Sequence, residues 1–314
     1  MEKDGYEIIS FSAYAYDKHF IEFFNENRNL ERVGKIHSIY SRTINFLDNK
    51  DNMYTIGSKS IDNSPFTLRI DNRNISFEDL DLEEGNRLFK MDNSLIIEDK
   101  VKIDLGSNGI LWNPNVEKRR DLNKNLIMKN IGYFNDFILE KGSNGGCRYF
   151  YLENYLKVKA CNLGLIEKEL SVRIEVFLDA LNYGNIDEVK INSLIGFGIG
   201  LTPSGDDFLT GFLSVLNIIS TDYSNKIKRK LINLIDIDKI STTDVSKQML
   251  SITLRGESRE YILSFINAFL DGDKEQFLLF LERLLNIGSS SGTDLAVGVV
   301  TAFILLINNF NMEE

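Results

Sequence analysis

The chain has 314 residues, 43% of them hydrophobic, with a formal net charge of -10 and a pI near 5.0. That length and composition support one large or two moderate domains with cores of their own, and the acidic balance excludes the basic footprint of a nucleic-acid binder. Two cysteines, Cys147 and Cys161, and two histidines, His19 and His37, exclude a structural zinc cluster and a His-rich metal site.

Unpaired cysteines suit a reducing cytosol. The opening MEKDGYEI has no apolar core of signal-peptide length, and the most apolar run, residues 295–307, falls short of the roughly twenty residues of a membrane span. A cytoplasmic protein with no membrane and no nucleic-acid partner is therefore expected.

In chain order, residues 17–28 predict a helix with Phe20, Phe23 and Phe24 on one face. The next segment is strand-like, with short β-branched and aromatic runs at 33–46, 53–56, 66–70, 94–97, 101–105 and 110–112, cut by Asn, Asp and Gly. These runs predict a β-barrel or β-sandwich module over residues 1–116. After Pro114 the period changes to that of helices, predicted at 121–141, 165–181, 186–195, 225–235, 243–254, 257–270 and 274–285, with GSNGG at 142–146 as a break. The fold class is then α+β, the larger helical domain occupying 117–314.

The run GFGIGLTPSGDDFLTGF, residues 196–212, is the richest in chemistry. Gly196, Gly198 and Gly200 allow positive φ and a close backbone approach to a ligand. Thr202 is placed to cap a helix whose first position is Pro203, and Ser204, Gly205, Asp206 and Asp207 form its first turn. Such a start directs unpaired N–H groups and the positive dipole end into the loop, an anion site for phosphate or carboxylate. Two adjacent carboxylates beside it suit a Mg²⁺ ion, held by Asp206 and Asp207, or the amide of a substrate. The plainer reading is acidic residues favoured by the dipole and glycines serving packing. Against it, Phe208, Leu209, Phe212, Leu213, Leu216, Ile218 and Ile219 leave almost no polar face, so the helix is buried and its polar start opens inward. The loop lacks the lysine of G-x-x-x-x-G-K-[ST], which excludes a P-loop.

The chain repeats this device. Ser204-Gly205-Asp206-Asp207 with Gly211 is echoed by Ser291-Gly292-Thr293-Asp294 with Gly298, both reading S-G-x-D-x-x-x-G at the start of an apolar helix. A glycine one turn beyond each aspartate lets two helices approach, so Asp207 and Asp294 are expected at the N-termini of two packed central helices, facing one pocket. Asp206, Asp207 and Asp294 are the candidate catalytic residues. Gly198, Gly200, Thr202, Ser204, Gly205, Ser291, Gly292 and Thr293 are the candidate anion-binding set. Thr243 and Ser246, at the start of the 243–254 helix, are candidates to hydrogen-bond a carbamoyl or carboxamide group; the same helix also reads as an ordinary capped, amphipathic one. Arg255 and Arg259 are candidate cations for attracting an anion to an acidic protein.

The signature GxGxGLTPSGDDFLxG resembles that of the AllH family, subunits of oxamate carbamoyltransferase. Further segments are similar to the family pattern: GKIHSIYSRTINF at 34–46, NSPFTLRI at 63–70, TTDVSKQMLSITLRGESRE at 242–260 and GSSSGTD at 288–294, the last departing in Ser289 and Ser290. The resemblance implies ureide catabolism (allantoin degradation), in which oxalurate and phosphate give oxamate and carbamoyl phosphate, with other transferase subunits as partners. At strand spacing Lys35, His37, Ile39 and Ser41 share one face and Ser38, Tyr40 and Arg42 the other, and a single strand histidine reads most simply as solvent-facing or satisfied in the core; the resemblance adds an implied substrate contact for His37, Ser38 or Arg42. Two roles stay open for such a chain: a catalytic subunit, or a non-catalytic small-anion-binding or assembly subunit, since no nucleophile-base pair lies near the glycine loop.

Overall fold

In the computed structural model, which describes residues 8–106, 109–114, 116–159 and 164–309, the strand-like first part closes into a barrel. The chain divides into two units, Met1–Asn115 and Val116–Glu314. The first holds β1 (Ile9–Asp17), β2 (Arg32–Tyr40), β3 (Thr43–Asp48), β4 (Met53–Gly57), β5 (Thr67–Ile70), β6 (Arg87–Met91), β7 (Ser94–Ile97), β8 (Val101–Asp104) and β9 (Ile110–Trp112). Their order is β5-β4-β3-β2-β6-β7-β8-β1, and β1 returns to β5 to close eight strands, with β9 as an addition beside β1. β1 makes closure possible by changing neighbours along its length. Residues 9–12 pair with β8 in parallel, residues 15–17 with β9, and its other edge runs antiparallel to β5. Closure removes the unpaired edges that an open sheet would expose.

Helix α1 (Lys18–Glu26) follows β1 directly, because Asp17 caps it by accepting from the N–H groups of Phe20 at 2.9 Å and His19 at 3.1 Å. Phe20, Phe23 and Phe24 enter the barrel core with Phe46, Ile56, Leu68 and Ile97.

Three sequence expectations change here. Residues 33–46 form a hairpin and not one strand: Tyr40 pairs with Thr43 across the two-residue turn Ser41-Arg42, which carries none of the Asn-Gly chemistry that marks such turns. β1 and β6 went unread, β1 because its inward positions are small alanines, Ala13 and Ala15, whose apolar signal is weak. The faces expected around His37 also shift, because His37 is the extra residue of a bulge between Ile36, opposite Phe46, and Ser38, opposite Asn45. Ser38 is thereby buried, Arg42 sits exposed in the turn, and His37 is half-buried with Nδ1 at 3.1 Å from Ser38 Oγ.

The second unit holds α2 (Lys124–Lys141), α3 (Cys147–Asn154), α4 (Leu165–Asn182), α5 (Glu188–Asn192), α6 (Ser204–Ile218), α7 (Asp222–Leu234), α8 (Asp244–Leu254), α9 (Glu260–Asp271), α10 (Lys274–Leu285) and α11 (Ser291–Asn309). α6 is buried at every position, and α11 at nearly every one. They pack backbone to backbone: a Cβ on Gly211 would lie 2.1 Å from the Leu295 carbonyl oxygen, and one on Gly298 would lie 2.2 Å from that of Phe208. α11 is long and apolar enough to cross a membrane, yet 83% of its apolar window is covered by the protein, so it is a core helix. The helix expected over 186–195 shortens to α5, and α3, which begins at the end of the glycine-rich break, was not expected at all.

Candidate functional site

The two echoed helix starts come together at one end of the α6–α11 seam. Thr202 Oγ1 and Ser291 Oγ, one from each opening, are hydrogen-bonded at 2.7 Å. Asp207 and Asp294 are both fully buried. Neither oxygen of Asp207 meets a partner at full hydrogen-bonding geometry, although the Ser291 and Thr202 hydroxyls stand near it, and Oδ2 of Asp294 meets none either. Burial first, then the nearby Asp294 carboxylate, raises the Asp207 pKa well above its usual range, against a smaller opposing effect of the Ser291 and Thr202 hydroxyls. Burial likewise lifts Asp294, to about 7, opposed first by the Cys147 N–H and then by the Ser204 hydroxyl. Two buried carboxyls that repel one another resist joint ionisation, and a pair sharing a proton both donates and accepts a hydrogen bond.

Residues that sequence reasoning missed complete this cluster. The N–H of Cys147, first residue of α3, donates to Asp294 Oδ1 at 2.6 Å, and its thiol to the Ser204 carbonyl at 3.4 Å. Gly146 must be glycine, since its φ is +53° and a Cβ would fall 2.3 Å from Asp294 Oδ1. Ser143 N–H donates to Thr293 Oγ1 at 3.0 Å. The only signal of this docking in the sequence is the GSNGG break, which reads equally well as a helix stop. Cys147 is a free thiol whose pKa is raised well above normal by burial first and by Asp294 next, so it is no nucleophile. Cys161 lies outside the described residues.

Asp206 belongs to a different cluster. Its oxygens accept from Gly196 N–H at 2.8 Å and from the Thr242 hydroxyl. Burial raises its pKa, and Thr242, Gly196 and Ser246 moderate the rise. Thr243 caps α8 by accepting from Ser246 N–H at 3.1 Å, and its hydroxyl donates to the Leu201 carbonyl at 2.6 Å, tying the loop to that helix. Ser246 is buried, its Oγ near Asp206 but without a partner at full hydrogen-bonding geometry. The adjacent acids thus diverge, as neighbours on a helix do, Asp206 clasping the glycine loop and Asp207 facing Asp294. Among the described residues no three His, Cys, Asp or Glu side chains gather as a metal cage.

The helix start itself differs from expectation. Pro203 occupies the cap position with an extended ψ of 141°, and no side chain caps the helix, so Thr202 is one residue too early. The Gly205 N–H donates to the Phe197 carbonyl at 2.9 Å, and those of Asp206 and Asp207 to Pro203 at 2.9 and 3.1 Å, so these donors are already engaged. Gly205 leaves no room for an anion, because a Cβ there would meet the Leu194 carbonyl at 2.0 Å. Gly292 similarly abuts Leu284, at 2.0 Å. The loop before α6 keeps the expected left-handed glycines, with φ of +72° at Gly196, +132° at Gly198 and +108° at Gly200. Gly198 is pressed against Ser204 N, whereas Gly200 faces open space between the exposed Ile199 and Leu201. Arg173 of α4 pins the loop's other side, its guanidinium 3.8 Å from the Phe197 ring centre. Arg255 ends α8 and donates to Ser251 Oγ at 2.9 Å.

His37, Ser38 and Arg42 belong to the barrel unit. There Ser38 Oγ accepts from Asn45 at 3.1 Å, and Asn45 accepts from the Thr55 hydroxyl at 2.9 Å, a polar ladder across three strands.

Fold and site together define an α+β protein with a closed barrel and a helical unit whose polar centre is two echoed helix starts. Residues 194–303 match the family model described as oxamate carbamoyltransferase subunit AllH, and residues 12–110 match the AllH family N-terminal domain. The chain belongs to the AllH family, and the description is that of a subunit, one component of a multi-subunit transferase. No solved structure matches it.

Proposed function

We propose that this chain is the subunit of a cytoplasmic oxamate carbamoyltransferase that holds the small anionic substrate at the α6–α11 openings. In the reaction the bond between the carbamoyl carbon and the oxamate nitrogen of oxalurate breaks, a phosphate oxygen bonds to that carbon, and the nitrogen leaves as the amide of oxamate. The reverse direction consumes carbamoyl phosphate. Both directions move a proton on or off the leaving nitrogen, which a partly protonated carboxyl pair can mediate. The observation that carries the reading is the three oxygens of Asp207 and Asp294 without a partner at full hydrogen-bonding geometry, buried where two helix starts meet. A buried acceptor without a partner costs about 1–3 kcal/mol, a loss that the N–H₂ of a carbamoyl or carboxamide group would relieve. The glycine loop, with Gly200 in the open and Ser204, Thr202 and Ser291 behind it, supplies the entrance and the contacts for phosphate or carboxylate.

The test is phosphorolysis of oxalurate by the chain with its partner subunits. Asp207→Asn is expected to lower the rate about 100-fold or more, within the range of general acid-base catalysis, with helicity unchanged. An undiminished rate refutes the assignment.

A second reading, a non-catalytic anion-binding or assembly subunit, is favoured by the engaged N–H groups of the α6 start and by glycines occupied in packing. Calorimetric titration of the chain alone with carbamoyl phosphate, oxamate and oxalurate separates the two when paired with the rate assay. Binding that survives Asp207→Asn, with turnover by the complex unchanged, establishes the second. The titrations are run with and without Mg²⁺, so that any dependence of binding on the metal is read directly.

A further inference from the structure

A cavity lies in the barrel unit, far in sequence from the glycine loop and independent of the reading above. Its volume is about 580 Å³, and it opens between α1 and the turn joining β3 to β4. That volume suits a small organic molecule.

Its inner wall is aromatic. Tyr54 packs on Phe23 at 4.4 Å between ring centres and meets Phe66 at 5.4 Å, and Phe66 in turn stacks on His19 at 4.2 Å with the planes 3° apart. These four rings all line the cavity. Around them stand Glu22 and Glu26 from α1, Arg28, Glu31, Asp48 from the end of β3, and Lys50, all exposed except the half-buried Asp48. Carboxylates outnumber lysine and arginine in the lining, four to two. After burial, the influences that raise the Tyr54 hydroxyl's pKa are the carboxylates of Asp48, Asp17, Glu26 and Glu22, in that order. Glu22 and Glu26 are four residues apart on α1, so the two like charges share a helix face and weaken the helix unless a positive group lies between them.

An aromatic wall, an excess of carboxylates and room for a body of several carbons describe one ligand chemistry. We propose that this cavity binds a small organic cation, an ammonium or guanidinium group on an apolar stem, with the charge between Glu22 and Glu26 and the stem against Tyr54 and Phe66.

The experiment is calorimetric titration of the full chain with agmatine, an alkyl guanidinium amine, and with glutarate and hexanediol as anionic and neutral controls of similar length. Saturable one-to-one binding of agmatine alone is expected. The double variant E22Q/E26Q, at exposed positions that spare the core, is expected to weaken it at least 10-fold, and Tyr54→Leu about 3- to 10-fold. Absence of agmatine binding, comparable binding of glutarate, or unchanged affinity in E22Q/E26Q overturns the proposal.

Discussion

Gly298→Ala tests whether the seam between α6 and α11 is the rigid frame of the site. The added Cβ would lie 2.2 Å from the Phe208 carbonyl oxygen and 3.0 Å from its carbonyl carbon, whereas ordinary contact begins at 3.4 Å. The obstacle is backbone, with no side chain to rotate away, so the helices must part by about 1 Å. A gap of that size forfeits roughly a quarter to a half of the dispersion well along the contact. Overpacking of a close-packed interior costs about 1–3 kcal/mol, and the backbone obstacle places this case at the upper end. Replacing a helical glycine by alanine returns about 1 kcal/mol through lower backbone entropy, for a net loss of about 2 kcal/mol. Gly132, exposed in α2 with nothing within 4 Å of its absent Cβ, is the internal control, and Gly132→Ala is expected to stabilise by up to about 1 kcal/mol. Gly211→Ala meets the Leu295 carbonyl at 2.1 Å, and the double variant with Gly298→Ala should cost less than the sum, since helices parted for one methyl admit the other. Urea unfolding followed by far-UV circular dichroism reads the four variants against the wild type. If Gly298→Ala is neutral or stabilising, like Gly132→Ala, the close-packed seam is wrong.

Two further predictions concern the polar residues. Asp294 titrates near 7 in the folded chain against 3.8 as its reference, so between these values the folded state keeps a proton that the unfolded chain has released. Stability therefore falls as pH rises through that window, by about 1.4 kcal/mol per unit and about 4 kcal/mol in all from this group. Asp294→Asn keeps an oxygen for the Cys147 N–H and is expected to flatten the profile, measured as urea midpoints at pH 5 and pH 8; an equal slope in the variant rejects the assignment. Asp206→Ala releases both the Gly196 N–H and the Thr242 hydroxyl, and a loss of about 2 kcal/mol with faster proteolysis at the glycine loop is expected. Loop cleavage at the wild-type rate would show that Asp206 does not hold it.

Much of the architecture was legible locally. The change from a period of two to one of 3.6 separates barrel strands from helices, and the all-round apolarity after Asp207 and Asp294 marks α6 and α11 as buried, because burial on every side removes the need for a polar face. The S-G-x-D-x-x-x-G echo correctly pairs the two helices, since only glycine at 211 and 298 permits so close an approach.

What only the tertiary structure decides lies in long-range choices to which local preference is blind. Ala13 and Ala15 carry too little apolar signal to announce the strand that closes the barrel. Ser41-Arg42 turns a hairpin without the Asn-Gly or Asp-Gly pair that marks such turns. Asp206 and Asp207, identical in type and adjacent, part company because one step along a helix turns the side chain by about 100°, toward Thr242 in one case and Asp294 in the other. The contact of Cys147 with Asp294 spans 147 residues, and no propensity at either end encodes it; it exists because Gly146 has no side chain to keep α3 away.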